Sequence, residues 1–249
     1  MASVSRSDLR RVAARTWLLQ ATWNYERQQG LGWAWALSPA LERFYPDRGV
    51  RCDRLAEHTA FFNTQPTLAS LALGAAAALE EQRSLTGAPD ADGMRRVKNV
   101  LASSLAALGD RMFWLTLRPL AACLGVILAA SGSALGAAAL WVCYNAMHQG
   151  LRFAGVAWGY RLGPAVLSGE LRPRLERMIG AWALIGVAVV GAIVAVLLAP
   201  GGSPRPAQYQ VVLAAGLLLG LLAAQRVRPS PTEWAFGAGI LSLIVTWPR

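Results

Sequence analysis

From Met178 to Ala199 the chain runs for some 22 residues without a charge, enough for a helix of about 33 Å, the thickness of a bilayer's hydrocarbon core. No other stretch restricts the fold as much, because in lipid only a helix or a closed barrel satisfies its own backbone polar groups. Composition agrees. Of the 249 residues, 55% are hydrophobic and 15% charged, where a soluble domain carries about a quarter. The net charge of +10 rests almost wholly on arginine, Lys98 being the only lysine. These arginines are scattered between apolar runs rather than gathered on one basic face, which argues for topology and anionic lipid and against nucleic acid. Arg172, Arg174 and Arg177 precede the long run and place its start in the cytoplasm, with the loop from Pro200 to Gln210 outside. No secretory signal heads the sequence, so the N-terminus is expected in the cytoplasm.

The other apolar runs are shorter. Thr67 to Leu79 ends at Glu80-Glu81-Gln82-Arg83 and covers roughly 20 Å as a helix, a half-span or re-entrant element. Pro66 suits its first turn, with Asn63, Thr64 and Gln65 available for the orphan amides. Beyond a polar loop, Ala88 to Arg96, the run Val97 to Leu108 stops at Gly109-Asp110-Arg111. Met112 to Ala130 is long enough to span, though Arg118 and Pro119 interrupt it; an arginine at that depth calls for a carboxylate such as Asp110 or Glu80. Small residues in Ala134 to Tyr144 and in Gly150 to Gly163 let helices approach closely, and the pair Gly30 and Gly32 signals a break or a close backbone approach. Pro39 opens a further helix, Asp47 to Glu57 lies on the water side, and Val211 to Ala224 and Trp234 to Trp247 are short final passes. At the start, Ser7 caps an amphipathic helix, and Trp17, Trp23, Trp33 and Trp35 suit a membrane interface. The pattern predicts an all-α, polytopic integral membrane protein with re-entrant or half-spanning helices: an arm over 1–20, a core over 21–170 and C-terminal transmembrane helices over 171–249. Interrupted helices are tolerated in a bilayer only where protein or a water-filled cavity surrounds them, which is where transporters bind substrate.

Two segments set rings directly beside amides and charges: Trp23-Asn24-Tyr25-Glu26 and Phe61-Phe62-Asn63-Thr64. Sugars are recognised by aromatic faces plus amide and carboxylate hydrogen bonds, so Trp23, Asn24, Glu26, Phe62, Asn63, Thr64 and Asp110 are the candidate sugar path; the same aromatics would also serve simply to pack helix on helix. Glu80 and Glu81 diverge by about 100° on a helix and cannot both face one site, so at least one reads as a solvated helix end. His58 reads as a hydrogen-bonded structural residue rather than a phosphoryl carrier. No phosphate-binding loop, HExxH or nucleophile triad is present, and neither a cofactor nor a metal is implied. Cys52, Cys123 and Cys143 are too far apart for a CxxC and read as small buried hydrophobes.

LLQATWNYERQQGLGWAWALSPAL, HTAFFNTQP, ALEEQR, the Leu108-Gly109-Asp110 turn before Phe113-Trp114, and SGSALG at Ser131 to Gly136 together resemble the IID membrane subunit of the mannose/fructose/sorbose family of the bacterial phosphotransferase system. The resemblance implies a multi-pass inner-membrane protein that pairs with a IIC subunit to carry a hexose inward, while soluble IIA and IIB proteins supply phosphate; IID is not itself an enzyme or the phosphorylated component. Where that family shows a glycine- and proline-containing loop, this chain reads LASSLAALGDRMFW, with Arg111 in place of the proline, and the outer loop near Pro200 to Gln210 is shorter. The substituted loop raises helical propensity, and the two departures together point to an alternative, a structural or regulatory subunit that stabilises IIC or docks IIB.

Overall fold

Ser5 stands three residues before Asp8, the spacing at which a hydroxyl and a carboxylate each satisfy the other's backbone amide. The computed structural model places them so: the Ser5 hydroxyl accepts from the Asp8 N–H at 3.1 Å and the Asp8 carboxylate accepts from the Ser5 N–H at 3.1 Å, starting α1, Arg6–Arg15. The cap is therefore Ser5 rather than Ser7. The structure describes residues 4–130, 132–166, 168–169 and 171–198, and over these it is helical, with two isolated bridges and no strand. The expected outer loop after Pro200 and the passes from Val211 and Trp234 lie outside the described residues. By contacts the chain divides into Met1–Ile193 and Val194–Arg249.

In order, α1 is followed by α2 (Gly30–Phe44), α3 (Arg48–His58), α4 (Ala69–Thr86), α5 (Ala91–Met112), a π-helical turn (Phe113–Leu117), α6 (Arg118–Ala130), α7 (Gly136–Leu162) and α8 (Leu171–Leu198). Within the first unit, α4 is the centre. It is apolar nearly all round, and from Ala69 to Leu79 only Ala78 escapes full burial, as expected of a helix enclosed by others. Its main neighbour is α7, with α2 and α5 also packed against it. The α4–α7 contact is backbone on backbone, because Gly74, Gly155 and Gly159 leave no room for a Cβ: one on Gly159 would stand 2.8 Å from the Leu71 carbonyl carbon and overlap its oxygen. Gly30 and Gly32 serve the same purpose on α2, the first against Ala60 and the second against Leu19. They mark a close approach and not a break. α2 begins at Gly30 itself, with Pro39 in its interior.

Three further sequence-based expectations are corrected. First, α4 does not stop at Leu79; it continues to Thr86, because Glu80 and Arg83 are buried with partners. Its 18 residues cover about 27 Å. Second, the chain does not break at Gly109-Asp110-Arg111. Asp90 caps α5, accepting from the Gly93 N–H at 2.7 Å, so the polar residues after it are its first turns and not a loop. Gly109 then turns onto Gln65, where an added Cβ would meet that side chain at 2.5 Å, while Asp110 and Arg111 take the exposed side. The irregularity comes later, over Phe113–Leu117, just before Pro119, which lacks the N–H that would bond the Leu115 carbonyl and whose ring crowds it; widening the helix to a π turn relieves both. Third, Arg118 pairs with neither Asp110 nor Glu80. Its guanidinium lies over the Trp114 ring, 4.9 Å from the ring centre.

Among the described residues, the helical stretch Ala91–Ala129 is long and apolar enough to cross a membrane by length and composition. Large hydrophobics stand exposed on the later helices, among them Leu115, Trp141, Leu184 and Ile185. Cys52 and Cys143 are exposed rather than buried, and Cys123 is partly buried.

Candidate functional site

The two ring-and-amide segments meet. Gln28 bridges to Phe62, the Gln29 N–H donates to the Phe62 carbonyl at 2.9 Å, and the Phe62 N–H donates to the Arg27 carbonyl at 3.3 Å. The candidate residues then divide by role. Asn24 holds its own turn, its side-chain oxygen accepting from the N–H groups of Glu26 and Arg27 at 3.1 and 2.8 Å. Trp23 is exposed and sets its ring edge-on to Tyr25 at 5.0 Å. Glu26 is exposed beside Arg27. Asn63 and Asp110 are exposed, and the Gly109 next to Asp110 packs on Gln65. Phe62 and Thr64 are buried. Phe62 packs on Trp33 with ring centroids 4.0 Å apart. Thr64 exchanges two hydrogen bonds with the Gln29 amide and donates its hydroxyl to the Ala102 carbonyl. The N-terminus of α4 is served by Gln65 alone of the three residues expected there; its side-chain oxygen accepts from the N–H groups of Thr67 and Leu68.

Beneath these loops lies a polar centre that sequence reading missed. Trp33 is fully buried, not interfacial, and donates its indole N–H to His58 Nδ1 at 3.1 Å. Indole nitrogen only donates, so Nδ1 must accept and the proton sits on Nε2, which donates to Glu80 Oε1 at 3.1 Å. The Tyr45 hydroxyl donates to Glu80 Oε2 at 2.7 Å, and Arg83 joins Glu80 to Glu57, reaching Glu57 Oε2 at 2.6 Å. Lys98 donates to the carbonyls of His58 and Ala60 and lies over the rings of Trp33 and Phe62. Glu80 is thus wholly buried, while its neighbour Glu81 accepts from the Tyr160 hydroxyl on α7. The signal available in sequence was the placement of His58 at the head of HTAFFNTQP; its partners sit 22 and 25 residues away, beyond the reach of any local pattern. A cavity of about 520 Å³ opens beside this centre, with Glu26, Glu57, Phe61, Asp92 and Lys98 on its walls.

Burial pushes the His58 imidazole below its usual pKa near 6.5, outweighing the Glu80 carboxylate that favours the cation. A group whose folded pKa is depressed binds its proton more readily when unfolded. Stability is therefore insensitive to His58 above about pH 6.5 and falls as the pH drops below that value. We expect the acid side of a melting-temperature profile to flatten in His58→Gln; an unchanged slope between pH 6.5 and 5 would remove His58 from that role.

Among the described residues, a helical stretch of membrane-crossing length, exposed apolar side chains on the later helices and small-residue helix contacts fit one class, a helical membrane subunit. Residues 3–199 match the PTS system mannose/fructose/sorbose family IID component. The chain belongs to that family. It is 37% identical over 192 residues to the PTS system mannose-specific EIID component of Escherichia coli (strain K12), covering 77% of this chain and 68% of that one. It is 33% identical over 191 residues to the PTS system sorbose-specific EIID component of Klebsiella pneumoniae, covering 77% and 70%. Among solved structures it resembles a chain of the cryo-EM structure of mannose transporter ManYZ with microcin E492, with TM-score 0.63 and 29% identity over 98% of this chain and 97% of that one. A second, described as the structure of a membrane protein, gives TM-score 0.70 and 28% identity over the same shares.

Proposed function

We propose that this IID component forms, with a IIC membrane subunit, the permease that moves a hexose of the mannose, fructose or sorbose type across the bacterial inner membrane for phosphorylation by IIA and IIB. The observation that carries this reading is the likeness, across 98% of the chain, to a chain from a mannose transporter. In this reading the N-terminus is cytoplasmic, residues 1–20 are a cytoplasmic arm, 21–170 the IID core and 171–249 its C-terminal transmembrane helices. The sugar moves by alternating access, and phosphorylation traps it inside. The exposed Trp23, Glu26, Asn63 and Asp110 and the partly buried Asn24 contribute to the path at the surface that IIC closes, whereas Phe62 and Thr64 position the loop that carries Asn63. Because α5 continues through Asp110, the expected half-helix there plays no part in the path. Uptake of labelled hexoses by cells expressing the full set of subunits tests the reading, with Asn63→Ala and Asp110→Ala as variants. Each is expected to reduce uptake at least about fivefold; unchanged uptake in both would remove them from the path.

The non-transporting alternative, a subunit that stabilises IIC or docks IIB, is favoured by one observation: every polar group of Thr64 and Gln29 is already engaged within the chain. Retained uptake in a complex lacking this chain would favour it over the transport reading.

A further inference from the structure

On α7, Tyr144, His148 and Arg152 follow one another at four-residue spacing, so they form one stripe, and Gln149 flanks it three residues before Arg152. The ring of His148 stacks on Tyr144 at 5.5 Å, and Phe113, from the π turn, meets His148 edge-on at 5.6 Å. Arg152 is only 8% exposed, yet it makes no hydrogen bond or ion pair among the described residues, and its Nε is buried without a partner. His148 Nδ1 and the Gln149 side-chain oxygen are buried and unpartnered as well. Three orphaned polar atoms within two turns of one helix call for a partner, because buried polar groups in native structures are almost all paired. The stripe also sits at a particular place. One residue before Arg152, the Leu151 carbonyl accepts from the Ser70 hydroxyl, in the first turn of α4, so the orphaned atoms lie where α4 begins and Asn63 to Pro66 lead into it.

The chemistry of the three atoms selects the ligand. Arginine offers only donors, and the Gln149 oxygen is only an acceptor. A partner's carboxylate would satisfy the first and repel the second, and an acyl chain would satisfy neither. A hydroxyl does both, and a ring bearing several hydroxyls does so at several points while its C–H face rests against aromatic side chains. We infer that Tyr144, His148, Gln149 and Arg152, backed by Phe113, form one half of a binding site for an uncharged hexose. The inference rests on the transport reading and adds to it a site on α7 built from none of the loop residues Trp23, Asn24, Glu26 and Asn63. Tyr144, His148 and Gln149 are only half-buried, so the site is open on one side, where the companion membrane subunit completes it.

The test uses the complex purified with its companion subunit, measuring recovery of the assembled pair, equilibrium binding of labelled mannose, fructose and sorbose, and KM for uptake. Arg152→Gln and Gln149→Leu are each expected to raise Kd and KM at least about tenfold with assembly and melting temperature near wild type. Should Arg152→Gln not be recovered folded, Gln149→Leu and His148→Phe carry the test, since both conserve size. Unchanged Kd and KM in a transporting complex would overturn the site while leaving the transport reading intact. Loss of subunit association with unchanged KM in what assembles would overturn it in favour of an Arg152 contact with a companion carboxylate. A wild-type complex that takes up no hexose would overturn both.

Discussion

Glu80→Ala is expected to destabilise the protein by roughly 3–5 kcal/mol, because it removes one partner from a buried charged network and leaves the rest. Glu80 has no exposed surface and receives hydrogen bonds from three side chains: His58 Nε2, the Tyr45 hydroxyl and Arg83. With the carboxylate gone, His58 Nε2 loses its partner inside the fold, the Tyr45 hydroxyl keeps only the backbone carbonyl of residue 80 at 3.3 Å, and Arg83 keeps only Glu57. The indole of Trp33 suffers at second hand, since the His58 tautomer that accepts from it is held by the proton shared with Glu80. Glu80→Gln should recover part of the loss, as one amide oxygen can still accept while the amide nitrogen faces donors. Thermal unfolding of the detergent-solubilised complex reads the effect as a fall in Tm of roughly 6–20 °C for Glu80→Ala. A fall of less than about 2 °C would mean that Glu80 is solvated. The same network fixes α2, α3 and α4 to one another through Trp33, His58 and Glu80, and so holds the two ring-bearing loops in register above it.

What could be read from the sequence was what short-range physics decides. Helical class and the small-residue contact of α7 follow from residue types within a few positions of each other; at Gly30 and Gly32 the sequence leaves a break or a close approach, and packing against Ala60 and Leu19 decides for the second. The start of α4 after Pro66 was legible to within three residues. The continuity of α5 was not, because Gly109-Asp110-Arg111 has the composition of a turn; only the packing of Gly109 on Gln65, 44 positions back, turns the charged pair outward and keeps the helix intact. Glu80 and Glu81 do diverge on the helix as their adjacency requires, but neither is a solvated helix end, because both have partners: His58, Tyr45 and Arg83 for the first and Tyr160 for the second. Trp33 looked interfacial because it shares a segment with Trp35, which is exposed; the two differ by which side of α2 meets His58 and Phe62. Tertiary partners, not local pattern, set each of these outcomes.

A methyl group on Gly159 is expected to do more damage than most larger changes elsewhere on α7. Gly159→Ala brings a Cβ into the Leu71 peptide of α4, 3.0 Å from its Cα, 2.8 Å from its carbonyl carbon and overlapping the oxygen. Every atom it meets is backbone, so no rotamer change relieves the clash; one helix must slide from the other. Overpacking of this kind costs about 1–3 kcal/mol, at the upper end where the obstacle cannot rotate away. Helix propensity pulls the other way, favouring alanine over glycine by about 1 kcal/mol. Gly150, on the same helix with nothing within 4 Å, separates the two effects. Gly150→Ala should stabilise by up to about 1 kcal/mol while Gly159→Ala destabilises by roughly 2 kcal/mol net, a difference of sign within one element. Displacing α7 from α4 also shifts Arg152 and His148 relative to Phe113, so Gly159→Ala should weaken hexose uptake while Gly150→Ala preserves it. Equal, stabilising effects of the two alanines would show that α4 and α7 do not meet at Leu71 and Gly159, and the placement of the α7 stripe at the head of α4 would fall with that contact.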